Sequence, residues 1–250
     1  MNFTFESNES KFLLRIADTS LILAQRLAEM CSKGPFLEED IALSNTSLDL
    51  FGRAEELYKI ICRIENDKFE PDELVYKRNE RQFYNLKLVE QPNEDFAWVI
   101  VRQFLHDVYA KEVFTELLKS ENSEVVGLSQ KVLKEIKYSH LHAKDWIERL
   151  GLGTEESNSR TQSAVNHILK YIEEIFNFDD IDKTYLSNTA EIESKWNAEI
   201  NAVFAAYNIT RIEVPPLSMR DYRDGFHSEY MGPLLSVMQY LPRAYPDAKW

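Results

Sequence analysis

The sequence predicts an all-α protein. Three observations carry that expectation. Apolar residues recur at three- and four-residue spacing along most of the 250 residues. Glycine is scarce, at 7 residues, where an average chain carries roughly 7%. Four helical patterns are long, and the second and third are separated by a long segment, about 66–93. A long crossover of that kind belongs to ferritin-like four-helix bundles, whereas simple up-down bundles have short loops. The fold expected is therefore a ferritin-like four-helix bundle with additional C-terminal helices. No low-complexity linker or repeat divides it, so residues 1–250 are read as one domain.

A first helix is expected at about 9–32, with Phe12, Ile16, Leu23, Leu27 and Cys31 on its buried side. Lys33-Gly34-Pro35 stops it, because Gly suits a left-handed cap and Pro cannot continue the ladder. A second helix covers about 38–65, and its leading EED matches the positive end of the helix dipole. Residues 78–92, RNERQFYNLKLVEQP, read either as a short helix or as an extended turn. A third helix covers about 93–120. A fourth covers about 123–150, where Gly151 and Gly153 end it. A fifth covers roughly 155–177 and a sixth roughly 189–208. Residues 209–225 hold helix breakers and β-branched residues and read as extended chain. A last helix follows at about 226–240, and Pro242 and Pro246 disrupt the tail. The four long helices each span roughly 33–42 Å at 1.5 Å per residue, as an antiparallel bundle requires.

The formal net charge is −13, and no Lys/Arg-rich run occurs. That argues against nucleic acid and against anionic membranes as partners. Two cysteines, Cys31 and Cys62, are too few for a disulfide framework or a cysteine zinc site. Both are expected to be reduced and buried on neighbouring helices. The N-terminus lacks a basic region followed by an apolar one, and the longest strongly apolar run, FAWVIV at 96–101, is too short to span a bilayer. The default location is cytoplasmic. Phosphate-binding and nucleophile-elbow glycine motifs are absent. Trp98, Trp146 and Trp196 read as core or interface anchors.

A ferritin-like bundle raises the question of a dinuclear metal centre. Such centres take a carboxylate from each of two helices and a Glu-x-x-His pair from each of the others, because i, i+3 spacing puts both ligands on one face. Of the five histidines, only His227 has an acid three residues before it, Asp224, and that DGFH reads as a turn. The stretch EIKYSHLH, 135–142, holds an acid and two histidines at the wrong phases. His140 lies well round the helix from Glu135, and His142 lies about two turns, roughly 10.5 Å, along the axis. Polar residues that interrupt apolar faces are Gln25 and Glu29 on the first helix, Asp49 on the second, Asp107 on the third and Glu135 on the fourth. Tyr138 is expected on the inner face beside Glu135. Each has a plainer reading: Asp49 as a solvated helix residue, Asp107 and Glu135 as partners of a nearby Lys or Arg, and Tyr138 as a packed ring.

Several long blocks in order resemble one family. They are LAQRLAEMC (23–31), DIALSNTSLDLFGRA (40–54), RNERQFYNLKLVEQPNEDFA (78–97), KEIKY (134–138), WIERLGLG (146–153) and GFHSEYMGPLLSVMQYL (225–241), with the terminal Trp250. Nearly end to end, the chain resembles the C subunits of bacterial phenylacetyl-CoA 1,2-epoxidases. The resemblance implies a ferritin-like, non-catalytic subunit with no cofactor of its own. Its implied partner is the catalytic ferritin-like subunit of the same complex, which carries the di-iron centre. A further small subunit, together with a reductase holding flavin and iron–sulfur groups, completes an assembly that uses NADPH and O2 on phenylacetyl-CoA in phenylacetate breakdown. The resemblance also implies vestigial ligand positions. Asp49 and Gly52 fall on one acid-x-x-His, Glu135 and Tyr138 on the other, and Asp107 and Gln25 on the remaining carboxylates. Both histidines and one acid are then missing. The alternative is a carboxylate-bridged oxygenase active in its own right through Asp49, Asp107 and Glu135.

Overall fold

The computed structural model describes residues 3–213, 221–246 and 248. Every regular element among them is helical. The four long helices are α1 (Asn8–Ala28), α2 (Leu37–Ile64), α4 (Phe96–Leu117) and α5 (Ser123–Gly151), with a short α3 (Pro71–Tyr76) between the two pairs. Helices α1 and α2 form one antiparallel hairpin, α4 and α5 form the other, and α2 lies against α5. None of these helices is long and apolar enough to cross a membrane.

Local chemistry sets the helix ends. Ser7 caps α1, Asp95 caps α4 and Asn122 caps α5, each side chain accepting a hydrogen bond from an otherwise unpaired N–H of the first turn. Glu38, Glu39 and Asp40 occupy the first turn of α2, where negative charge is favoured. The first helix ends four residues earlier than its apolar pattern suggests. The left-handed residue of the following turn is Ser32, with φ 68°, while Gly34 donates its N–H to Asp40 Oδ1 at 2.8 Å. Cys31 consequently stands exposed in a turn rather than buried on a helix, and only Cys62 is buried.

The crossover between α2 and α4 is mostly non-helical, with two 3-10 turns at Glu80–Gln82 and Lys87–Glu90. Arginines from the bundle satisfy its backbone. Arg26 of α1 donates to the Glu90 carbonyl from Nε and Nη2, at 3.0 and 2.6 Å. Arg102 of α4 donates to the Gln91 carbonyl and to Asn93 Oδ1. Buried carbonyls need such donors once no helix or sheet supplies them.

A second layer packs on α4. It comprises α6 (Glu155–Ile168), a 3-10 turn at Leu169–Tyr171, α7 (Ile172–Phe176) and α9 (Thr189–Ala206), while α8 (Asp180–Tyr185) lies against α1. The expected fifth helix is thus broken at the 3-10 turn, and α8 occupies a stretch with no helix expected. One apolar cluster fills the space among α1, α2, α4 and α5. The other lies among α4, α6 and α9 around Trp196, which is fully buried and donates Nε1–H to the Leu105 carbonyl at 3.0 Å. With apolar contacts on both sides, α4 is nearly surrounded, as a helix apolar all round should be.

The C-terminal region differs from expectation. Residues 226–230 are not helical; α10 begins at Met231 and ends at Met238, and α11 (Tyr240–Ala244) continues through Pro242. A 3-10 turn at Tyr222–Asp224 ends in Gly225, as the turn reading of DGFH requires. Residues 214–220, the middle of the expected extended stretch, lie outside the described residues, as does Trp250.

Candidate functional site

The six positions that resemblance marks as former metal ligands do not converge. Asp107 is fully buried on α4. Its Oδ1 accepts from Gln103 Nε2 at 2.8 Å and lies 3.5 Å from His106 Nδ1. Glu135 sits at the α2–α5 seam with its side chain 14% exposed, 3.5 Å from Lys131 Nζ. Gln25 is half-buried on α1. Asp49 is exposed, which is the plainer of its two readings. Gly52 is half-buried with open space where a Cβ would point. Tyr138 is 82% exposed, so the expectation of an inner-face ring is wrong. The reason is helical phase. The buried stripe of α5 runs through Val132, Ile136, Ser139 and Ala143, and Tyr138 falls beside it at 100° per residue.

What faces the bundle interior from α2 is Arg53, one residue beyond Gly52. It is 3% exposed, and its guanidinium lies 5.3 Å from the centroid of the Phe114 ring on α4. Burial pulls its pKa below the ordinary arginine value, and the carboxylates of Asp107, Glu135 and Asp49 act in the opposite direction. Its Nε and Nη1 make no hydrogen bond, and neither do Asp107 Oδ2, Glu135 Oε2, Gln103 Oε1 and His106 Nδ1. Burial also holds His106 below its ordinary pKa, with Asp107 opposing. Arg53 and His106 both line a cavity of about 40 Å³, walled also by Phe12, Tyr109, Phe114 and Tyr222.

The remaining histidines are engaged elsewhere. His140 Nε2 is 2.6 Å from Glu199 of α9, and this contact, with Lys111, pulls the Glu199 pKa down to about 2. His142 Nε2 is 2.7 Å from Glu39 of α2, which also accepts from Trp146 Nε1 at 2.7 Å. His227 pairs with Glu90 of the crossover. Among the described residues, no group of three or more His, Cys, Asp or Glu side chains is arranged to hold a metal ion. These residues do not fit a dinuclear iron centre. One acid faces solvent, the two histidine-equivalent positions offer no inward donor, and a guanidinium sits among the acids that remain.

Sequence reasoning missed Arg53. The signal was present, since Arg53 shares the phase of Leu50, Ala54 and Leu57 rather than that of its charged neighbours. A second buried charge network was also missed. Asp18 of α1 is fully buried and pairs with Arg78 of the crossover, while Tyr58 of α2 donates to Asp18 at 2.6 Å.

Comparison with known proteins gives this arrangement its family. The profile of the family described as "Phenylacetic acid catabolic protein" matches residues 2–250. The chain belongs to that family. It is 38% identical over 248 residues to a protein of Escherichia coli (strain K12) named as the C subunit of 1,2-phenylacetyl-CoA epoxidase, with 96% of this chain and 98% of the relative covered. The match bears out the resemblance read from the sequence blocks, and membership of this family connects the chain to phenylacetate catabolism. The family match over residues 2–250 takes in the crossover, the Arg53 segment of α2 and the C-terminal helices.

Proposed function

We propose that the chain is the structural, non-catalytic subunit of a multicomponent phenylacetyl-CoA 1,2-epoxidase that consumes NADPH and O2. In this reading it stabilises the di-iron catalytic subunit by pairing with it. The further small subunit, like the reductase, joins the same assembly, and phenylacetyl-CoA meets it through the catalytic partner. Gln25, Asp49, Gly52, Asp107, Glu135 and Tyr138 are then the remains of a ligand set. The observation that carries the reading is the buried guanidinium of Arg53 set among Asp107, Glu135 and Asp49. Iron sites need carboxylate and imidazole donors to replace water, and a cation already in place repels a second one. The full-length similarity to a protein named as part of an epoxidase supports the assembly.

The test is to purify this chain alone and together with the catalytic subunit. Iron is counted on each, and NADPH-dependent ring oxidation is measured with and without this chain. The expected result is co-purification, iron on the catalytic subunit only, and activity that falls when this chain is omitted. Stoichiometric iron on this chain alone, or failure of the two to co-purify, would reject the proposal.

A further inference from the structure

We infer that the outer sides of α2 and α5 form the surface on which the catalytic ferritin-like subunit docks. The inference rests on the reading of the chain as that subunit's partner, and goes beyond it by naming the face.

The outward side of a surface helix is ordinarily polar. On α2 it is not. Leu37, Ile41 and Leu48, spaced four and seven residues apart, share one side of the helix and stand more than half exposed, with Phe36 at the cap beside them. The neighbouring α5 adds Tyr138 and Leu141, three apart and likewise exposed. Contacts along the seam put these residues at matching heights. At one end Glu39 accepts from Trp146 Nε1 and lies 2.7 Å from His142 Nε2, and at the other Arg63 meets Glu124 at 2.6 Å. The two helices therefore run antiparallel, with Ile41 level with Leu141 and Leu48 level with Tyr138 to within about one turn. The same contacts hold the helices in place without a partner, so docking costs little ordering.

Area and charge say what covers this face. At such exposures a large apolar side chain presents on the order of 100 Å². The six side chains then present roughly 600 Å², the upper end for the largest patch on a monomer. With its polar surround the face matches the about 800 Å² per partner of a standard interface. Its α5 half carries Lys131, Lys134 and Lys137, all exposed, and the one carboxylate between residues 130 and 144, Glu135, is only 14% exposed. Its α2 half carries exposed Glu38, Asp49 and Glu55. The docking chain must present the reverse, acids over α5 and bases over α2, around an apolar centre. A second copy offers such groups, but two chains that each carry a net charge of −13 repel. The pattern therefore fits a different chain, and the catalytic subunit is the one that the proposed assembly supplies.

The experiment measures binding of the full chain to the catalytic subunit for wild type, L48D, L141D, K134E/K137E and a control, V237D. Val237 of α10 is as open to solvent as Leu48 but lies outside the face. Each variant alone should unfold at the wild-type temperature, because the altered side chains are at the surface. L48D and L141D should each weaken binding about tenfold or more, as loss of an anchor at the centre of an interface does. K134E/K137E should weaken it too, and should change its dependence on salt. V237D should bind as wild type. Face variants that bind as tightly as wild type would overturn the inference, and so would a loss in V237D equal to that in L48D. A wild-type chain that sediments alone as a dimer, dissociated by the same substitutions, would assign the face to a second copy and overturn it as well. If an aspartate variant does not fold, L48A and K134E/K137E carry the same comparison. Failure of the wild-type pair to co-purify rejects the functional reading itself, whereas a stable pair indifferent to these substitutions rejects only the face.

Discussion

His227 Nδ1 lies 2.6 Å from Glu90 Oε1, and neither side chain reaches solvent. The other ring nitrogen, Nε2, lies 3.0 Å from the Phe83 carbonyl. Both nitrogens face acceptors, so the imidazolium, with two N–H donors, satisfies the site and either neutral tautomer leaves one contact without a proton. Glu90 also accepts from Asn85 Nδ2 and from the N–H and Oγ of Ser228. This cluster fastens the segment before α10 to the crossover that precedes α4.

The pair makes stability depend on pH. Burial disfavours the His227 charge, but Glu90 and the Phe83 carbonyl outweigh it, and the pKa is raised above 6.5. A raised folded pKa means that the contribution is complete below about pH 6.5 and is lost as pH rises through the folded value. Wild type should therefore lose stability on the alkaline side relative to H227Q. Thermal unfolding from pH 6 to pH 10 checks this, and parallel curves for the two proteins would refute it.

The Asp18–Arg78 pair should dominate the cost of substitutions outside the apolar core. Arg78 is fully buried, stacks 4.1 Å from the Phe83 ring centroid, and donates to the Leu74 and Gln82 carbonyls as well as to Asp18. D18N leaves that guanidinium without its counter-charge and should cost about 3–5 kcal/mol. Y58F removes one hydrogen bond to a charged acceptor and should cost about 1.5–3 kcal/mol. Chemical denaturation ranks the two, and an order with Y58F the costlier would contradict the network.

These buried pairs mark where the sequence could be read and where it could not. The four long helices follow from apolar phase, because periodicity is a local property, while three of their starts are set by the caps Ser7, Asp95 and Asn122. The long crossover was visible as the place where periodicity failed. Its conformation was not, because it depends on donors 64 residues away, such as Arg26 reaching the Glu90 carbonyl. The break of the fifth helix at Leu169–Tyr171 carries no Gly or Pro to announce it. At the centre, the absence of Glu-x-x-His was legible from spacing alone. The inward turn of Arg53 and the outward turn of Tyr138 were hidden because a motif overlay matches residue types and spacing without fixing which side of the helix, at 100° per residue, faces the core.

Tyr138 should therefore behave as a surface residue. Its side chain is 82% exposed, one turn from Glu135 but off the buried stripe of α5. Y138A in the isolated chain should change stability by less than about 0.5 kcal/mol, the usual range for exposed sites. A loss well above about 1 kcal/mol, the centre of the distribution for all substitutions, would place the ring in a core after all. Weakened co-purification with the catalytic subunit, at unchanged stability, would instead show that the ring belongs to the contact surface.

Two glycines should respond to alanine with opposite signs. Gly52 lies inside α2 and a Cβ there meets nothing within 4 Å. G52A removes the entropy that glycine loses in a helix and should stabilise the chain by about 0.5–1 kcal/mol. Gly225 has φ 71°, and a Cβ there would stand 2.2 Å from the Arg81 carbonyl oxygen. The left-handed conformation alone costs a non-glycine residue roughly 1–2 kcal/mol, and the backbone contact cannot be relieved by turning a side chain. G225A should therefore destabilise, and the shift of the 225–228 turn should also pull His227 away from Glu90. The distinguishing readout is the pH dependence: G225A should lose the alkaline decline along with H227Q, whereas G52A should keep it. A G225A protein that is less stable but retains the wild-type slope would show that the turn can move without disturbing the buried pair.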